Sequence, residues 1–286
     1  QWRRLGFFEK DPVRGLSELA SSSICTVTSC RGKTAVGDTS GFIILCDRSS
    51  IVSKFRAFDN KICHLFGSTE SNLLVGVGED SSGSSKDHSG VLFVKVWDLS
   101  SAADNLFPCV FKHEVYQGLH VNKVPVASIC ASDDASVIVL GLQHGSCIVL
   151  HGDILRNKPV KRILPAAGRG SAPVAMGLER GSQGRWSIVA VTVAQVLLYK
   201  DVTGAGGPGA GGGEVVEEEG CGREEEGGGA AAWAAGPGEM LVGRLQGILA
   251  FSKEGRGATY AFEGPKRLLA WARPYLVAVT SDALPA

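Results

Sequence analysis

The most constraining feature of this chain is a recurring pairing of glycines with apolar runs. Val36-Gly37-Asp38-Thr39-Ser40-Gly41-Phe42-Ile43-Ile44-Leu45 is matched by Leu140-Gly141-Leu142-Gln143-His144-Gly145-Ser146-Cys147-Ile148-Val149-Leu150. Each is an apolar run, a glycine, three residues, a second glycine and another apolar run. That order predicts a β-hairpin with its glycines where the turn needs positive φ. A third copy, Val77-Gly78 to Gly90-Val91-Leu92-Phe93-Val94-Lys95-Val96-Trp97-Asp98, places extra polar residues such as Ser81-Ser82-Gly83-Ser84-Ser85 at the hairpin tip.

A short apolar strand precedes each hairpin: Ser23 to Val27, Ile62 to Phe66 and Val126 to Cys130. A fourth, weaker strand follows, as in Lys158 to Leu164. Four antiparallel strands recurring every 40–50 residues or so are the signature of a β-propeller blade. Val174 to Leu178, Ser187 to Val193 and Gln195 to Tyr199 open a fourth blade. Met240 to Val242, Ile248 to Phe251 and Ala258 to Phe262 supply a fifth, and Leu268 to Trp271 with Tyr275 to Val279 begin a sixth. The expected fold is therefore all-β: a WD-repeat-like propeller over 1–286, with about five and a half blades of a ring of about seven. Ending two strands into a blade suggests a piece of a longer protein. Middle strands covered on both faces should be continuously apolar. Outer strands should carry charge, as in Phe111-Lys112-His113-Glu114-Val115. Ile51, Phe55, Phe58 and Ile62 have helical spacing, but the repeat requires an outer strand there, and a strand is expected.

Lys and Arg total 29, as do Asp and Glu, and the balance hides a segregation. Residues 204–238 hold 14 of the 38 Gly, seven Glu and one Arg, so this stretch carries −6 and the remainder +6. A disordered Gly/Glu/Ala-rich insertion is expected over 203–239, because such composition cannot bury enough apolar surface to offset ordering entropy. It should be removable at little cost in stability. Its irregular glycines followed by carboxylates do not make a phosphate cradle. Contact between the acidic stretch and the basic remainder would be weakened by salt screening.

Zero net charge argues against nucleic-acid binding, which needs a basic face. No apolar run reaches the roughly 18 residues of a membrane span, and Gln1-Trp2-Arg3-Arg4 is no signal peptide. None of the five Asn opens an N-x-Ser/Thr sequon. A soluble, cytoplasmic protein is expected. Cys25, Cys46, Cys63, Cys109, Cys130 and Cys147 lie among β-branched or apolar neighbours and read as inert core thiols. No C-x-x-C occurs, and Cys25 with Cys30 has no second pair to complete a zinc site.

No catalytic, cofactor-binding or metal-binding residue is assigned. The chain lacks G-x-S-x-G, H-E-x-x-H, P-loop and EF-hand patterns. The six His (64, 88, 113, 120, 144, 151) are scattered, and Gly76-x-Gly78 reads as a strand end rather than a dinucleotide site. Trp97-Asp98 has the form of a WD-repeat ending, with Trp97 expected between blades. Lys158-Pro159-Val160-Lys161-Arg162 reads as a solvated edge that discourages strand pairing.

Gln1-Trp2-Arg3-Arg4 and Phe7-Phe8-Glu9-Lys10 together resemble the start of the vacuolar protein sorting-associated protein 11 family. Val77 to Asp80, Val94 to Leu99, Gly152-Asp153-Ile154 and Tyr260 to Gly264 follow in that family's order. The resemblance covers almost the whole chain except 203–239, where Gly/Glu/Ala sequence replaces an ordinary connector. It implies an N-terminal propeller of a shared core subunit of the HOPS and CORVET membrane-tethering complexes. Such a module is non-catalytic and binds no cofactor. Zinc and any ubiquitin-ligase role belong to a C-terminal RING domain, which, with an α-solenoid, lies outside these residues. The implied partners are the other tether core subunits and, indirectly, Rab GTPases and SNAREs, with no nucleic acid. The implied location is cytoplasmic, peripheral on late endosome, lysosome or vacuole membranes. Trp2 to Glu9 would supply an outer strand to the last blade. The competing reading is a propeller enzyme or peptide-reading scaffold with its site at the central channel.

Overall fold

The computed structural model describes residues 19, 21–30, 32–47, 50–68, 70–81, 90–100, 107–118, 124–181, 183–204, 212–222, 230–234, 238–272 and 275–280. Trp2 to Glu9, the Ser81 to Ser85 tip beyond Ser81, His88 and His120 lie outside the described residues. The chain divides into two compact units, Gln1–Leu119 and His120–Ala286.

The first unit holds two four-stranded antiparallel meanders. One is β1 (Ile24–Cys30), β2 (Lys33–Asp38), β3 (Phe42–Cys46) and β4 (Ile51–Arg56); the other is β5 (Ile62–Gly67), β6 (Leu73–Asp80), β7 (Val91–Asp98) and β8 (Cys109–Glu114). The residues with helical spacing form no helix: Ile51 and Phe55 lie in β4, a strand as the repeat requires, Phe58 lies in the link and Ile62 opens β5. β1 lies beside β5. Thr26 Oγ1 accepts from the Leu65 N–H at 3.3 Å, and Thr28 Oγ1 from the Gly67 N–H at 3.0 Å, so hydroxyls on one sheet satisfy amides on the next.

The second unit holds three such meanders and a pair. They are β9 (Val126–Ala131), β10 (Val137–Leu142), β11 (Cys147–Asp153) and β12 (Lys158–Leu164); β13 (Pro173–Arg180), β14 (Trp186–Thr192), β15 (Val196–Tyr199) and β16 (Gly213–Glu217); then β17 (Ala231–Ala234), β18 (Glu239–Arg244), β19 (Gly247–Ser252) and β20 (Gly255–Ala261). The pair is β21 (Lys266–Ala272) with β22 (Tyr275–Thr280). β9 lies beside β13, β13 beside β17 and β17 beside β21. First strands of successive sheets therefore pack together, the arrangement of propeller blades. The described chain is all-β, an incomplete propeller.

Burial follows position in the sheet. β10 and β15 are buried at every residue, whereas the fourth strands β12 and β20 are mostly half-buried or exposed. Lys158 to Arg162 sits on such an edge, with Val160 exposed.

The paired glycines have two jobs rather than one. Gly41 (φ +85°) and Gly145 (φ +94°) make the turns, as expected. Gly37 and Gly141 lie within strands, and their lack of a side chain admits the neighbouring sheet. A Cβ on Gly37 would stand 3.1 Å from Ile62 Cγ2, and one on Gly141 would stand 2.3 Å from Pro173 Cγ. Gly76 and Gly78 are likewise inside β6, where a Cβ would meet the Trp97 ring at 2.8 Å and the Phe58 ring at 2.6 Å. Trp97 does pack between sheets, edge-on to Phe55 and Phe58 with centroids 6.0 and 5.6 Å away.

Within 203–239, the described residues 212–222 and 230–234 differ from the sequence expectation. Gly213–Glu217 completes one sheet as β16, and Ala231–Ala234 opens the next as β17. Ala230, Ala232, Ala234 and Cys221 are buried, and Trp233 packs on Gly177. Deleting 204–238 would therefore remove two strands and their packing. Composition averaged over the stretch misses this, since a ladder needs only four or five suitable residues beside an existing edge.

The cysteines also divide. Cys30, Cys46, Cys130, Cys147 and Cys221 are buried, Cys63 is half-buried, and Cys25 and Cys109 are exposed. Burial pushes the Cys147 thiol up to about 12 and Cys130 well above its ordinary value. Native alkylation at neutral pH, read by peptide mass mapping, should therefore leave Cys130 and Cys147 unmodified until the protein is unfolded.

Candidate functional site

In an antiparallel meander, the turn between the second and third strands falls at the same end as the link to the next sheet. In the second unit this end gathers the β12–β13 link, the β14–β15 and β18–β19 turns, and the segment following β16. Between them lies a cleft of about 320 Å³, lined by Arg169, Val193, Glu218, Glu219, Arg244 and Leu245 among others, with Gly220, Cys221 and Gly222 along one side.

Backbone pairing fixes that side. The Cys221 N–H donates to Thr192 O at 3.1 Å and the Gly222 N–H to Val193 O at 3.0 Å, fastening the segment to the β14–β15 turn. Gly220 is obligatory here, because a Cβ would stand 2.0 Å from Thr192 O. Arg244, the last residue of β18, reaches across with only 16% of its side chain exposed. Its Nε donates to Gly220 O at 3.2 Å, Nη1 to Glu219 Oε2 at 3.0 Å, and Nη2 to Glu219 O. Opposite, Gln195 Nε2 donates to Glu218 Oε2 at 2.8 Å and its Oε1 accepts from the Arg169 N–H at 2.8 Å. The Arg169 guanidinium lies 3.8 Å from Glu218. Glu218 and Glu219 remain 71% and 77% exposed, so the cleft offers carboxylates to solvent over an ordered guanidinium.

The β18–β19 turn is held from beneath by Lys266, which is fully buried at the start of β21. Its Nζ donates to Arg244 O at 2.6 Å, Leu245 O at 3.2 Å and Phe262 O. Burial pushes this amine down, and Glu263 partly opposes the shift. The arrangement resembles a fixed cap: an ammonium bonded to three carbonyls sets the turn on which Arg244 and Leu245 stand.

A second polar centre lies in the first unit. Asp80, 4% exposed, accepts from Lys95 Nζ at 2.8 Å, Lys112 Nζ at 2.6 Å and the Asp59 N–H at 3.1 Å. Lys95 also donates to Ala57 O at 2.7 Å and sits 4.4 Å from the Phe58 ring centre. Burial alone would push the Asp80 carboxyl up, but hydrogen bonds from Lys112, Lys95 and Asp59 outweigh it and hold it below the ordinary carboxylate range. All its bonds are internal and join the β4–β5 link to the second sheet, so its chemistry is that of a structural clamp.

His64 and His113 belong to β5 and β8, while His144 and His151 fall on the β10–β11 turn and β11. Among the described residues no three His, Cys, Asp or Glu side chains are grouped to hold a metal ion. No helix among them is long and apolar enough to cross a membrane. The sequence does not single out Glu218 to Gly222, because their composition places them with the insertion. The usable signal was the vacancy for a fourth strand between Tyr199 and Met240, with Glu-Val-Val-Glu to fill it.

Known proteins give a consistent answer. The chain is 26% identical over 294 residues to the vacuolar protein sorting-associated protein 11 homolog of Dictyostelium discoideum, covering 98% of this chain and 28% of that one. It is 27% identical over 295 residues to the Arabidopsis thaliana homolog and 25% over 302 residues to the Homo sapiens homolog, each covering 99% of this chain and 30% of the relative. This chain thus spans under a third of those relatives' length. Among solved structures, the computationally designed Ika8 protein superposes with a TM-score of 0.53 at 12% identity, covering 90% of this chain and 68% of that one. Sqt1 of Saccharomyces cerevisiae gives 0.52 at 11%, covering 91% and 80%. These two likenesses are of fold alone. The profile described as PEP5/VPS11 N-terminal matches residues 2–286, and the chain belongs to that family.

Proposed function

We propose that this chain is a non-catalytic interaction domain of a vacuolar protein sorting factor, within a HOPS- or CORVET-type membrane-tethering complex. The observation that carries the reading is the family match over 2–286, joined by relatives named for vacuolar protein sorting. The packed sheets suit the role: a rigid scaffold presents turns and links at the sheet ends, where binding residues are commonly placed. In this reading the domain binds no cofactor. Its partners are the other tether core subunits, with Rab GTPases and SNAREs engaged through the assembled complex. The protein sits in the cytoplasm, peripheral on late endosome, lysosome or vacuole membranes, and acts in vesicle docking before fusion.

Affinity purification of the full-length protein from its own cells tests this. Recovery of the other tether core subunits is expected, together with missorting of vacuolar hydrolases when the gene is disrupted. A purification that returns none of those subunits, with normal hydrolase delivery in the disrupted cells, would overturn it.

A further inference from the structure

β16 is an unusual strand to find completing a sheet. It has five residues, and both of its apolar side chains, Val215 and Val216, are only half-buried. Its register against β15 shifts between Val196 and Leu197. The strand beneath is the opposite: Val196, Leu197, Leu198 and Tyr199 are all buried. Gly213 lies against the Tyr199 ring, where a Cβ would stand 2.7 Å from Cε1.

Val215 and Val216 touch the cores only at their margins, and charge adds to that contact. Glu214 meets Lys200 at 2.8 Å, Glu217 meets Arg256 at 3.5 Å, Glu218 meets Arg169 at 3.8 Å and Glu219 meets Arg244 at 3.0 Å. The four cations come from four places: the residue after β15, β20, the β12–β13 link and the end of β18. Arg244 apart, the cations are half or more exposed, so their three pairs are individually weak and open to salt. If β16 leaves, its cations stay. An apolar strand edge flanked by four positive charges would then face solvent, and it would fit an extended segment with two central apolar residues and carboxylates around them.

We propose that the outer edge of β15 is an exchangeable receptor for an acidic extended peptide, filled within the chain by Gly213–Glu219 and open to a partner's acidic segment that adds as a strand. Main-chain bonds to β15 would give affinity, and Lys200, Arg256, Arg169 and Arg244 would select acidic sequences. The proposal needs only the sheet and its charges and does not rest on the tether assignment.

The test uses the whole chain carrying Val215→Ser and Val216→Ser, which weakens the resident strand and leaves the receptor intact. A fluorescent peptide of the sequence Gly-Glu-Val-Val-Glu-Glu-Glu is followed by anisotropy. It should bind, lose about tenfold in affinity between about 0.05 and 0.5 M salt, and lose more on adding Arg244→Gln with Arg256→Gln. A peptide with Lys at the four Glu positions should not bind. Absence of binding, salt-independent binding, or equal binding of the Lys peptide overturns the proposal. Should the double variant fail to fold, hydrogen exchange on the unmodified chain decides. Amides of β15 should exchange faster in high salt while those of β14 do not, and unchanged β15 protection overturns the exchange.

Discussion

Replacing Asp80 with Ala should lower the unfolding free energy by about 3–5 kcal/mol, the cost of leaving a buried charge without its partner. The stranded group is Lys95, whose side chain is 11% exposed and would keep Ala57 O and the Phe58 ring among the described residues. The Asp59 N–H would also lose its acceptor. Lys112 supplies the internal control. It reaches the same carboxylate but is half exposed, so Lys112→Ala should cost about 1 kcal/mol or less. Urea unfolding of the three proteins measures the difference, and equal losses would show that Asp80 is no clamp. The pH dependence has a definite sign. Asp80 is held below its ordinary range, so its stabilisation is complete above the unfolded carboxyl pKa of about 3.9 and fades as pH falls through the lower folded value. The gap between native and Asp80→Ala proteins should be constant near neutrality and narrow below about pH 4.

Gly177→Ala should be strongly destabilising for a single added methyl. Gly177 lies in β13, and a Cβ there would stand 2.0 Å from both Cδ2 and Cε3 of Trp233 in β17. The obstacle is the body of an indole, not the end of a flexible chain. The ring must swing off the sheet or the two strands must part, at about 1–3 kcal/mol. Trp233→Ala alone should also destabilise by leaving a space above Gly177. The two together should cost less than their sum, with a coupling of about 0.5–3 kcal/mol because the new methyl then has room. Strict additivity in a double-mutant cycle would mean that the ring does not rest on this glycine. Because Trp233 falls in the Gly/Ala-rich stretch, coupling would also report the packing of Ala231–Ala234 on β13.

How far the fold could be read without coordinates depends on what each element needs. The hairpin turns at Gly41 and Gly145 were legible because positive φ is a local demand met by glycine. β4 was legible only through the repeat, since Ile51, Phe55 and Phe58 by themselves have helical spacing. Trp97 was assigned correctly as an inter-sheet residue. The in-strand glycines 37 and 141 are visible in the sequence but read as turn residues, for their reason lies across the gap in Ile62 and Pro173. Cys109 sits in apolar company along the chain yet is exposed, and neighbours in sequence do not report which side of a strand is covered.

The cleft was not legible at all. Arg169, Gln195, Glu218 and Arg244 are spread over three links or turns and one strand end, and nothing in their spacing marks them as neighbours. They meet because successive meanders return their turns to one end.

By itself, the order of residues determined the all-β class, the four-strand repeat and membership in a family, because alternation of apolar runs with turn-forming glycines is written along the chain. Only the tertiary structure decided that Gly213–Glu217 and Ala231–Ala234 are strands, and which charges face one another. A marginal segment takes its conformation from the open edge it lands on, and long-range ion pairs exist only once the sheets are stacked.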